Sequence, residues 1–151
     1  MEGAVVSPLQ FSMVTRDTLV AGWEAAYKYL APAIKRGKMD AEALMRRLSQ
    51  GENVLVHINH EGKLIGAFIY SIGYLDGRRV LRIDLLGGNL IQRWVRYLDH
   101  FVNCLAHGAE AHYVEFFTTY HAPHVMEAMH FEEVGILYRR ATDGRYKIVN
   151  N

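Results

Sequence analysis

Apolar residues recur with a period of two through the middle of the chain and with a period near 3.6 on either side of it. The first run, "LQFSMV" from Leu9 to Val14, reads as a strand. Asp17 or Thr18 then caps a helix that carries Leu19, Trp23, Ala26, Tyr27 and Leu30 on one face and ends before Pro32. Asp40 is placed as the N-cap of a second helix, "AEALMRRLSQ", which Gly51 stops. A meander follows. "NVLVHI" leads through the turn "NHEG", with Gly62 at positive φ, into "KLIGAFIYSIGY". The Asp-Gly pair of "LDGR" is a strong hairpin signal and leads into "RVLRIDLL".

Beyond Gly87 and Gly88 the period changes. Leu90, Ile91, Trp94, Val95, Leu98, Phe101, Val102 and Leu105 form one stripe, with Asn89 as N-cap and Gly108 as C′ residue. At 1.5 Å per residue this helix is ~27 Å long, enough to cross a sheet. "HYVEFF" reads as a strand, "APHVMEAM" as a short helix with Pro123 in its first turn, and "EEVGILYRRA", "TDGR" and "YKIV" as a closing hairpin. The order βααβββαβαββ predicts an α/β domain, residues 1–151 as one unit. Its sheet is mixed and mainly antiparallel, with one βαβ crossover and helices on both faces.

Composition narrows the class. Half of the 151 residues are apolar, and 17 basic residues nearly balance 16 acidic ones, for a net charge of +1. Such a chain builds a core and gives no reason to expect nucleic acid, since no basic stretch is interleaved with aromatics. The cationic run "IKRGK" reads as a solvated loop. No apolar run approaches membrane-spanning length, and "MEGAVVSPLQ" lacks the features of a signal peptide, so a cytoplasmic protein is expected, with no membrane partner. Cys104 is the single cysteine, which fits a reducing compartment, and its mid-helix position predicts a packed thiol. His121, His124 and Glu127 recur every three residues around Pro123 without a supporting motif, and no metal site is expected. Trp23 and Trp94 belong to helix stripes and are expected in the core.

The glycine pair has two readings. Small residues at a strand-to-helix junction let backbone amides and the helix dipole meet an anion; equally, they only make the turn. The element order resembles that of the GNAT superfamily, the Gcn5-related N-acyltransferases, from about Leu9 to Val149. That resemblance implies that the segment from Leu85 to Arg93, "LLGGNLIQR", holds the pyrophosphate of acetyl-CoA, with Leu86, Gly87, Gly88, Asn89, Leu90 and Arg93 as cofactor-binding residues. The family's usual pattern is Arg or Gln, two residues, Gly, one residue, then Gly or Ala. Gly-Gly-Asn departs from it, which predicts a shortened cradle or none.

Aligning the family's fourth helix on His130-Phe131 puts Met126 where a proton-donating tyrosine is usual, and Thr119 where asparagine is usual. Methionine donates no proton, so Tyr120, in the loop before that helix, is the candidate acid. The resemblance places the thioester between the fourth and fifth strands, where Asp84 and Glu115 are the nearby acids. Asp84 shares a face with Arg82, and a structural ion pair between the two or with their neighbours is the alternative to a catalytic role. Glu115 lies between Tyr113 and Phe117, where aromatic surroundings raise a carboxyl pKa as a base requires, and it is the favoured base. The abbreviated glycine loop and "MHFEEVGILYRR" look most like small GNAT-like proteins of tailed phages. Two functions follow: an acetyl-CoA-dependent N-acyltransferase acting on an amine of a small molecule or protein, or a non-catalytic phage accessory or virion protein that binds a phage or host protein.

Overall fold

The computed structural model describes residues 8–89, 91–118 and 122–140. A five-stranded sheet runs in chain order through β1 (Leu9–Met13), β2 (Val54–His60), β3 (Lys63–Leu75), β4 (Arg78–Gly88) and β5 (Tyr113–Phe116). The first three pairings are antiparallel, and β4 pairs β5 in parallel. The parallel pair is possible because α3 (Ile91–Gly108) crosses back over the sheet between them. The hairpin turns form where the sequence marks them: Asp76 and Gly77 take φ of 51° and 78°, and Gly62 takes 78°.

Each face of the sheet has its own core. On one side α3 and α4 (Pro123–Ala128) cover Val56, Ile58, Phe68, Leu81 and Ile83, with Trp94, Leu98 and Val102 buried from α3. On the other, α1 (Leu19–Arg36) and α2 (Ala41–Ser49) bury Ala26, Leu30, Leu44 and Leu48 against Leu55, Ala67, Ile69 and Leu85. Asp40 caps α2 as expected, accepting from the amides of Glu42 and Ala43.

Four expectations change. Helix α1 does not stop before Pro32 but runs through it, because Leu30 and Ile34 on either side are both buried on the sheet. Trp23 is only half-buried and Tyr27 is exposed; Gly22 takes the inner position, lying against Val14. Cys104 is exposed rather than packed, since it falls off the stripe that Leu98 and Val102 define. Residues 131–140 are in no strand among the described residues; a strand needs a ladder partner, and the one expected, Tyr146 to Val149, lies outside them.

The two glycines that close β4 are strand residues and do not form the turn. Gly87 pairs with Ala67 and Gly88 with Gly66. A Cβ on Gly87 would lie 2.7 Å from the carbonyl carbon of Tyr29, so α1 packs its backbone directly on this strand. A Cβ on Gly88 would lie 2.8 Å from the Ile65 carbonyl oxygen and 2.9 Å from the Gly66 Cα. Backbone cannot step aside as a side chain does. Gly87→Ala is therefore expected to destabilise the protein by about 1–3 kcal/mol through overpacking, measured by denaturant unfolding; an unchanged midpoint would refute the close helix-on-strand contact.

Candidate active site

The site is built by a bulge in β4. Ile69 pairs with Leu85 but Tyr70 pairs with Ile83, leaving Asp84 as the extra residue. Before the bulge Leu81 and Ile83 face α3; after it Leu85 faces α1. The β4–β5 ladder runs only from Val80–Tyr113 to Ile83–Phe116. Asp84 sits one residue past its last rung, and Leu85 to Gly88 continue beyond it.

The ladder also sorts the backbone amides. The Asn89 N–H donates to the Ile65 carbonyl oxygen at 2.9 Å. Antiparallel pairing alternates, so Gly87, like Asn89, directs its N–H to β3, while Leu86 and Gly88 direct theirs to the opposite side, where the β4–β5 ladder has already ended. The indole N–H of Trp94 donates to the Asn89 carbonyl oxygen at 2.6 Å and ties the strand end to the first turn of α3. Arg93 is exposed on that turn. Leu90 lies outside the described residues. The glycine pair thus offers one outward amide, at Gly88. Gly87 and Asn89 turn theirs to β3.

Asp84 faces the α1–α2 side and is half-buried in a polar nest. The Asn53 side-chain amide donates to its Oδ2 at 2.8 Å, and Ser71 on β3 adds a second hydrogen bond. Burial raises the carboxyl above the usual carboxylate range, and these bonds, with Arg47 and Arg82, oppose the rise without cancelling it. The ion pair expected of Arg82, Asp84 or their neighbours forms between Arg82 and Glu115 rather than between Arg82 and Asp84. Arg82 stands opposite Glu115 in the β4–β5 register, and its Nε donates to Glu115 Oε2 at 3.1 Å. The guanidinium of Arg82 lies over Gly73, where no side chain obstructs it. Glu115 is therefore an ion-paired, half-exposed carboxylate. It is not enclosed by Tyr113 and Phe117, which are both exposed.

The position read as the family tyrosine, Met126, is half-buried against the α3-side core and brings no proton donor. Tyr120, His121 and Thr119 lie outside the described residues, and among the described residues no cluster of metal-ligating side chains forms. Sequence reasoning missed Asn53, Arg47 and Ser71. No local signal marks them, since each is recognised only by its place against Asp84 from another element.

No family model and no curated protein matches the sequence. Solved structures do. The chain superposes on a probable acetyltransferase with a TM-score of 0.66 and 15% identity, covering 89% of this chain and 97% of that one. The fold is that of the GNAT acetyltransferases. An aminoglycoside acetyltransferase from an uncultured soil metagenomic sample, in complex with sisomicin, gives a TM-score of 0.65 at 16% identity over 89% and 97% of the two chains. The aminoglycoside N-acetyltransferase AAC(6')-Iy, in complex with a bisubstrate analogue of CoA, gives 0.63 at 21% identity over 89% and 99%. At these identities the likeness is one of GNAT fold. Within it, no helix among the described residues is long and apolar enough to cross a membrane.

The raised Asp84 carboxyl has a consequence for stability. A carboxyl that holds its proton more tightly when folded favours the folded state at low pH. Its contribution falls as pH rises from the ordinary value of 3.8 through the raised folded value, and is level above it. The Tm of Asp84→Asn minus that of the parent is expected to increase across that window. A pH-independent difference would contradict the burial of this group.

Proposed function

We propose that the protein is an acetyl-CoA-dependent N-acyltransferase acting on an amine-bearing acceptor. The observation that carries the reading is a coincidence at Asp84: the β3–β4 ladder bulges there, the β4–β5 ladder ends one residue before it at Ile83, and the carboxyl at that point has a raised pKa. Neighbours of the same fold in complex with CoA and with a CoA bisubstrate analogue support it.

The residues fit the group in part. The outward amides of Leu86 and Gly88 would hold the pantetheine end, and the first turn of α3, with Arg93, would meet the pyrophosphate. Gly87 serves the packing of α1 in this reading and Asn89 the turn. Acetyl-CoA supplies an activated thioester, whose acyl carbon passes to the amine nitrogen as the thiol leaves. Asp84 takes the proton from the attacking amine, and its carboxyl, raised above the usual carboxylate range by burial, is the more basic for it. Glu115 is reassigned from base to the ion pair that fixes Arg82 beside Asp84. Tyr120 stands as the acid that returns a proton to the thiolate, by its place after β5.

The assay is thiol release from acetyl-CoA over a panel of amines. Turnover that rises with pH through a single ionisation above the ordinary carboxylate range is expected. Charge reversal in Arg93→Glu should weaken acetyl-CoA by about 10- to 150-fold, as loss of one charge-assisted contact of about 1.5–3 kcal/mol implies, with kcat little changed.

The second reading, a non-catalytic fold that docks onto a phage or host protein, has one observation in its favour: both glycines are accounted for by packing alone. Acetyl-CoA binding without thiol release over the whole amine panel would favour it.

A further inference from the structure

Among the described residues, Asn53 is the one buried polar or charged side chain, 7% exposed. It enters the sheet from the turn after α2, where Gly51 takes φ of 78° and the amides of Glu52 and Asn53 both reach back to the Arg47 carbonyl oxygen. Burying an amide is costly unless both its ends are bonded, and here both are. Arg47 Nε donates to Asn53 Oδ1 at 3.2 Å, and Asn53 Nδ2 donates to Asp84 Oδ2 at 2.8 Å.

The chemistry of the three groups fixes the direction of this relay. A guanidinium only donates, so the amide oxygen must face Arg47. The NH₂ end is thereby turned to Asp84, and it can only donate there. Asp84 is held as an acceptor through one oxygen, with Ser71 adding a second bond. A carboxylate has about four acceptor sites, so capacity remains for a proton arriving from another ligand.

The geometry points to Asn53 as a positioning residue for Asp84, with Arg47 setting the orientation of the Asn53 amide. This rests on the acyltransferase reading for its catalytic meaning, though not for its test. The relay joins α2, the β2 entry and the β4 bulge at a single carboxyl, and it stabilises the charged form that a base must reach. The groups that face Asp84 are Arg47 from α2, Asn53 from the turn before β2, Ser71 from β3 and Arg82 from its own strand, the last already paired with Glu115 of β5.

The test is a carboxyl NMR titration of Asp84 in the whole chain, run beside the thiol-release assay. Asn53→Ala removes a donor to the charged form, so the Asp84 midpoint should move up by about one pH unit. The acidic limb of kcat should move with it, lowering kcat about tenfold on that limb, while KM for acetyl-CoA stays within about twofold. Arg47→Gln should shift the midpoint in the same direction. Arg47→Lys, which keeps the charge and a donor, should restore it in part, and this pair carries the test if Asn53→Ala does not fold. A purely structural Asn53 would lower Tm and leave the Asp84 midpoint and the pH limb in place, and that result overturns the proposal. A parent that shows the coupled titration but no turnover upholds the relay and rejects the acyltransferase reading instead.

Discussion

Asp84→Asn is expected to lower the rate of thiol release by about 10²–10⁴-fold, the range general-base catalysis supplies, with acetyl-CoA affinity nearly unchanged. The substitution keeps the shape of the side chain and an acceptor for the Asn53 amide, but removes the basicity. Glu115→Gln provides the comparison. Its carboxylate is engaged by Arg82 at 3.1 Å, so its loss should cost less than about tenfold, through a less firmly held Arg82. Thiol release measured for both variants across pH separates the two carboxyls. A large loss in Glu115→Gln beside a fully active Asp84→Asn would return the base to Glu115.

Leu98→Ala is expected to have the largest effect on stability, about 2–5 kcal/mol, by leaving a cavity where α3 meets the sheet. Leu98 is completely buried and belongs to the same core as Trp94, Val102, Phe68 and Ile83. For a chain of this size that corresponds to a Tm lower by roughly 4–20 °C, read by thermal unfolding. The same helix carries Arg93 and the Trp94 indole that ties down Asn89, so the variant should also bind acetyl-CoA more weakly as its first turn loosens. A Tm within a degree of the parent would mean that α3 is not the lid of this core.

The elements were legible where one rule governs a stretch. Asp40, Gly62 and the Asp76-Gly77 pair each have a local chemistry that admits few alternatives, and the α3 stripe is long enough for its period to be unmistakable. The site was legible only in outline. Alternation places Arg82 and Asp84 on one face and correctly so, but a register is a property of two strands: that Arg82 stands opposite Glu115 cannot be read from either alone. The bulge that isolates Asp84 depends likewise on β3. Gly87 is the clearest case. Its sequence context, strand then glycines then helix, suggests a ligand-binding turn, while the reason for glycine there is the carbonyl of Tyr29, 58 residues earlier in the chain. Asn53 is polar, lies at a strand entry and would pass for a turn residue; only its burial between Arg47 and Asp84 marks it out.

The central claim is that the half of β4 beyond its ladder with β5 and the first turn of α3 form an acyl-CoA site. Isothermal calorimetry of the purified chain with acetyl-CoA tests it most directly. The account predicts a saturable one-to-one isotherm that CoA competes for and Arg93→Glu weakens; a folded parent that takes up no acetyl-CoA at millimolar concentration would contradict it.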